Sequence, residues 1–271
     1  MSVHLVGGGR DLGAAVIVYG EFVAECVGRA TAAGRSSPRV AVVVVTEADG
    51  HAEGVDWFRQ ALRRCAPVDV VGVSASPGAP LALGDGAAPT EPWWSGLDGL
   101  LVGGGVTPDY HRALLPYAGV IRTAVADGLP YAGFSAGAMI AAARALLGGW
   151  QVGTTAVTHE DNAEDLDQVT VVDGLGLVAA TIEVHTAQWG TLSRLVAAVD
   201  TGAAAAGIAV DENTVVILDP TADEAAGPGT AAVAGAGQAW FVTGDGDGVR
   251  VLRRSAARSR SHPSGLRARS G

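Results

Sequence analysis

The chain has 271 residues, 48% hydrophobic and 17% charged, enough apolar material for a full globular core. Its formal net charge of -10 excludes the basic footprint that a nucleic-acid partner demands. No apolar run reaches the ~18–20 residues that cross a bilayer, and Met1-Ser2-Val3-His4-Leu5 lacks the basic flank and apolar stretch of a signal peptide, so the expectation is a cytoplasmic protein without a membrane partner.

In chain order, Val3–Val6 reads as a strand running into Gly7-Gly8-Gly9, and Val16–Ala33 as a helix. The Val-rich runs Arg39–Thr46 and Val68–Val73 read as further strands, with a helix over Val55–Cys65 between them. Ser74–Pro92 is Pro/Gly/Ala-rich and reads as a loop. Leu97–Val102 is a strand running into Gly103-Gly104-Gly105, Tyr110–Asp127 a helix, Leu129–Gly133 a strand and Ala136–Leu147 a helix. Runs that are apolar on both faces imply strands covered on both sides. The alternation predicts a three-layer, doubly wound α/β fold with a mostly parallel sheet.

Beyond Leu147 the pattern loosens through the acidic stretch Gly148–Asp173, then resumes as a strand over Leu175–Val184 and a helix over Gly190–Val199. Ile208–Val210 and Thr214–Leu218 read as strands, and Gly229–Leu252 as a small β-meander turning at Asp245-Gly246-Asp247-Gly248. All 18 basic residues are arginine, and six of them crowd into residues 253–271, a stretch with hardly any apolar content. The expectation is one domain over 1–252 and a disordered tail over 253–271. Cys26 and Cys65 have no CxxC or Cys/His neighbour and read as buried thiols.

Gly133-Phe134-Ser135-Ala136-Gly137 fits G-x-S-x-G, in which small residues let a strand and a helix approach closely while the serine is presented at the sharp turn between them. The bland alternative is a glycine-rich helix start with Ser135 as its cap. A strand before and an Ala-rich helix after favour the nucleophile. A serine needs a base, and of six histidines His185 stands at the carboxyl end of a strand, downstream of the serine. The orienting acid is open: Glu160 and Asp161 are the leading candidates, with Asp165, Asp167 and Glu183 as rivals, and each alone is more often a solvated surface acid. An oxyanion would be held by the N–H of Ala136 and by the turn at Gly104 and Gly105. That turn lacks the G-x-G-x-x-G spacing of a dinucleotide site. With no lysine in the chain, Schiff-base and Ser-Lys mechanisms are excluded.

The ordered set Leu101–Gly105, Gly133–Ala138, Gly174–Leu177, Ile182–His185, Leu192–Leu195 and Gly207–Thr214 resembles the serine peptidases that include cyanophycinase and the aspartyl dipeptidase E, whose fold is similar to class I glutamine amidotransferases. The resemblance implies Ser135 as nucleophile, His185 as base, and an acid on the segment between them, Glu160 or Asp161. It also covers Asp211 and Glu212, to which a structural or site-supporting role is given. Where such relatives show D-Q-H-F followed by two arginines, this chain has Glu183, Val184, His185 and Thr186, then Trp189 and Thr191. Glu183 and Trp189, with Trp150, are therefore expected to face substrate. The function expected is a serine peptidase or amidase acting on a small peptide, dipeptide or isopeptide, as a monomer or homodimer, with no metal or organic cofactor. The alternatives are an inactive binding module, or an esterase or acyltransferase using the same triad.

Overall fold

The side chains of β2 (Arg39–Val45) alternate between two separate cores. Val40, Val42 and Val44 join one with residues of α1 (Ala15–Ala32) and α2 (His51–Arg63). Ala41, Val43 and Val45 join the other, with residues of α3 (Thr107–Leu114) and α4 (Ala118–Ala126). Alternation at a period of two, with both faces apolar, is what forces helices onto both sides of the sheet. The computed structural model describes residues 2–79, 81–83, 96–219 and 231–256. It is the expected three-layer, doubly wound α/β architecture.

The central sheet has eight strands. Five are parallel neighbours: β1 (Val3–Val6), β6 (Tyr131–Phe134), β5 (Gly99–Val102), β2 and β3 (Asp69–Ala75). The two-residue β4 (Ala82–Leu83) closes one edge antiparallel to β3. At the other edge β13 (Thr214–Leu218) runs antiparallel to β1, and β14 (Ala232–Gly235) antiparallel to β13. The carboxyl ends of β1, β5 and β6 therefore lie side by side, and the two Gly-Gly-Gly turns and Ser135 follow directly from them.

Two of the expected helices differ from the sequence reading. The helix expected over Ala136–Leu147 stops as α5 (Ala136–Ile140), and its second half is a strand, β7 (Arg144–Gly148), antiparallel to β10 (Thr170–Asp173). An apolar run of that length carries no period that separates helix from strand, and a partner distant in sequence decides it. The Tyr110–Asp127 helix is divided into α3 and α4 by a 3-10 turn at Leu115–Tyr117, where Pro116 lacks the N–H that would continue the ladder. The acidic stretch holds the short hairpin β8 (Gln151–Val152) and β9 (Thr155–Ala156) and a 3-10 turn at Glu160–Asn162.

A second, four-stranded sheet carries the rest of the site. In it β11 (Thr181–Val184) is parallel to β12 (Ala206–Val210), which is antiparallel to β15 (Gln238–Gly244), and β16 (Val249–Ser255) closes the edge. Between β11 and β12 the chain forms the single turn α6 (Thr186–Trp189) and then α7 (Leu192–Asp200). The hairpin turn at Asp245–Gly248 is present, with the Asp245 N–H donating to the Gly248 carbonyl at 3.1 Å. The C-terminal strands, however, divide between the sheets, β14 joining the large one and β15–β16 the small one. Arg253 and Arg254, expected in the tail, belong to β16, which continues to Ser255; Arg254 donates to the Ala231 carbonyl and lies over the Phe241 ring. Residues 257–271 lie outside the described residues, as do residue 80 and residues 84–92 of the loop expected over Ser74–Pro92. Among the described residues no helix is long and apolar enough to cross a membrane.

Candidate active site

Ser135 sits between β6 and α5 with φ 52° and ψ -112°, a conformation that L side chains rarely adopt. The turn is held by neighbours that have no room for side chains. A Cβ on Gly133 would meet the Gly137 carbonyl at 2.4 Å, and one on Gly137 would meet the Val102 carbonyl at 2.3 Å. The Ser135 N–H donates to the Val6 carbonyl at 2.9 Å, tying the elbow to β1. This is why the motif needs Gly, Ala and Gly around its serine.

The base arrives from the second sheet. His185 follows β11 in a left-handed conformation, φ 53°, and its N–H donates to the Gly7 carbonyl at 3.0 Å. The turn after β1 is a seat for it: a Cβ on Gly8, where φ is +95°, would lie 2.1 Å from His185 Cε1. By sequence Gly7-Gly8-Gly9 shows only that a strand ends there. Its function as a seat depends on a residue nearly 180 positions away, which no local pattern records.

His185 Nε2 stands 2.8 Å from Ser135 Oγ, and His185 Nδ1 stands 2.7 Å from Glu212 Oε1. A carboxylate at Nδ1 holds the proton there, which leaves Nε2 free to accept from the serine hydroxyl. His185 is only 8% exposed. Burial holds its pKa below the ordinary histidine range, and the charge and hydrogen bond of Glu212 offset this only in part. His185 is thus neutral and able to accept a proton at pH 7.

The carboxylate on the imidazole is therefore Glu212, and the expectation of Glu160 or Asp161 is corrected. Both stand exposed on the pocket wall, on the 3-10 turn. Asp161 meets His159 at 3.2 Å, while His185 Nδ1 already has its single acceptor in Glu212. Among the rivals, Asp165 is exposed on the wall and Asp167 accepts from Trp150 Nε1 at 3.5 Å. The signal missed was positional. Glu212 lies just past the carboxyl end of β12, the parallel neighbour of the strand that ends at His185, so the two ends are adjacent. Its neighbour Asp211 has the structural part, accepting from the N–H groups of Ala187 (3.1 Å) and Gln238 (3.0 Å).

Glu183 does not face the pocket, which corrects its expected substrate contact. It is fully buried, and its two oxygens receive Arg194 Nε at 2.7 Å and Nη2 at 2.9 Å. Arg194, 3% exposed, also donates through Nη1 to the carbonyls of Asn162 (2.6 Å) and Gly149 (3.3 Å). Buried Asn162 in turn donates to the Trp189 carbonyl at 3.0 Å. A buried ion pair thus holds the acidic segment against α6, and the substrate-side surface is made by other residues.

That surface encloses a cavity of ≈ 990 Å³, beside which Ser135, His185, Trp189, Trp150 and the carboxylates of Glu160, Asp161, Glu164, Asp165 and Asp167 stand. Arg10 is exposed at its edge, over the Trp57 ring. Gly104 is pressed against the nucleophile, since a Cβ there would lie 2.7 Å from Ser135 Cβ. Tyr110 donates its hydroxyl to the Gly104 carbonyl at 3.2 Å. In a trans peptide the following N–H, that of Gly105, points the opposite way, away from Tyr110. Ala136, directly after the serine, is fully buried at the start of α5. Glu164, with φ 56°, accepts from the N–H and hydroxyl of Thr107 at 3.2 Å each, and burial pushes its carboxyl above the usual range.

No curated protein matches the chain. The family model described as Peptidase family S51 matches residues 95–223, just under half of the chain, and over that span, which holds Gly104, Gly105, Ser135, His185 and Glu212, the chain is similar to that family.

Proposed function

We propose that the protein is a serine peptidase or amidase that hydrolyses a small peptide, dipeptide, isopeptide or related amide. The observation that carries this reading is the continuous chain of hydrogen bonds from Ser135 Oγ through His185 to Glu212, on a strained strand-to-helix elbow opening into a cavity. The family match over residues 95–223 supports it.

Ser135 Oγ attacks the amide carbonyl carbon as its proton passes to His185 Nε2. The carbonyl π electrons move to oxygen, and that oxyanion is held by the N–H groups of Ala136 and of the Gly104-Gly105 turn. Glu212 keeps the imidazole in its Nδ1–H form and balances the imidazolium. On collapse the C–N bond breaks, and the leaving amine takes the proton from Nε2. Water then repeats the sequence on the acyl-serine, releasing acid and free enzyme. No step calls on a metal or an organic cofactor. Trp189 and Thr191 stand where relatives are expected to place arginines, and Trp189 and Trp150 line the cavity, so the substrate differs from cyanophycin and from a plain aspartyl dipeptide.

A fluorophosphonate probe tests the reading without knowledge of the substrate. Labelling is expected on Ser135 and is lost in Ser135→Ala and His185→Ala; a wild-type chain that takes no label is instead a binding module that kept the fold. Parallel ester, dipeptide and isopeptide substrates, β-aspartyl compounds included, separate peptidase from esterase or acyltransferase. Gly8→Ala is expected to slow labelling about 100-fold, because the new Cβ displaces the imidazole from Ser135 by an ångström or so. Normal labelling in that variant removes Gly8 as the seat of the base.

A further inference from the structure

Trp189 is 51% exposed, an unusual place for the largest apolar side chain. Its ring nevertheless lies flat on the imidazole of His185, with centroids 4.0 Å apart and planes 9° from parallel. The local fold makes the contact. The Trp189 N–H donates to the His185 carbonyl at 2.8 Å, closing one helical turn that sets residues four apart on one face. Gly190, left-handed at φ 69°, ends the turn there. The buried Asn162 side chain holds the Trp189 carbonyl from below.

We propose that Trp189 is a positioning residue for His185: its indole face holds the imidazole between Ser135 and Glu212 and stabilises the imidazolium that forms as Ser135 gives up its proton. The inference rests on the reading of Ser135 and His185 as nucleophile and base. A cation over the face of an indole is attracted by the ring's quadrupole, and tryptophan is the strongest of the aromatic side chains in this respect. His185 needs that help because burial disfavours its charged form. The charged groups that act on it are Glu212 after β12, Glu183 on β11 and Arg194 on α7, and the last two neutralise one another in a buried pair. Arg10 and the carboxylates of Glu160, Asp161, Glu164, Asp165 and Asp167 share the cavity. With Glu212 at Nδ1 and Ser135 at Nε2 fixing the edge of the ring and Gly8 close against Cε1, the indole supplies a face-on support that the two hydrogen bonds leave out.

Trp189→Leu and Trp189→Phe test this with two readouts. The first is the titration midpoint of His185, followed by NMR of its ring nitrogens, which needs no enzymatic activity. The second is the pH dependence of fluorophosphonate labelling. In Trp189→Leu the midpoint is expected to fall by about half a unit to one unit and labelling at neutral pH to slow about tenfold, while Trp189→Phe recovers most of both. A midpoint in Trp189→Leu that equals the wild type overturns the proposal, and so does a phenylalanine variant no better than leucine. A wild-type chain that takes no label refutes the proposed function, and the NMR midpoint still decides whether Trp189 supports the imidazolium.

Discussion

Glu212→Gln is expected to lower kcat by about 10³- to 10⁴-fold with little change in KM. The amide keeps the shape of the side chain but loses the charge 2.7 Å from His185 Nδ1. It can also turn its NH2 toward that nitrogen, which places the imidazole proton on Nε2, where the serine hydroxyl then finds no acceptor. The pH profile gives the sign independently. Burial lowers the His185 pKa and Glu212 raises it, so removing Glu212 leaves burial unopposed by its largest opponent. The acid limb of kcat/KM, already below the ordinary histidine range in the wild type, moves further toward low pH. Residual activity then persists to lower pH even as its height collapses. Asp161→Asn, whose carboxylate meets His159, is expected to leave the acid limb in place. Should the limb follow Asp161 and stay fixed in Glu212→Gln, the assignment of the acid is wrong.

Arg194→Ala is expected to cost about 3–5 kcal/mol of stability, because it leaves the Glu183 carboxylate without its counter-charge in a fully buried position. It also removes the donor held by the carbonyls of Asn162 and Gly149. For a chain of this size the melting temperature would drop by roughly 6–20 °C. Replacing both partners, as in Glu183→Gln with Arg194→Met, is expected to cost less than Arg194→Ala alone, since no uncompensated charge remains. Thermal unfolding followed by circular dichroism reads both, and an equal loss in the single and the double variant would mean that the pair's charges are not coupled. The Asn162 carbonyl joins this pair to the acidic wall, so the stable remainder of Arg194→Ala should also label more slowly at Ser135.

Local pattern and chemistry were enough for some of this. The Val-rich runs apolar on both faces determined a sheet covered on two sides, since a strand apolar on both faces has to bury both. The small residues around Ser135 determined the elbow, because only glycine and alanine let β6 and α5 come so close. His185 was legible as a strand-end residue. What failed locally was of two kinds. The apolar run after Ile140 carries no period of its own, and pairing with β10 makes its end a strand. Carboxylates were weighed by chain order between serine and histidine, whereas adjacency comes from the pairing of β11 with β12, which brings Glu212 to His185 from 27 residues further on. Likewise Glu183, next but one to the base, would share its face in a continuous strand, but β11 ends at Val184 and His185 turns away in a left-handed conformation, which leaves Glu183 buried against Arg194. The sequence by itself thus determined the layers and the elbow, which follow from period and steric size. Only the tertiary structure decided the acid, the glycine seat and the indole on His185, because each depends on which strand ends and turns meet in space.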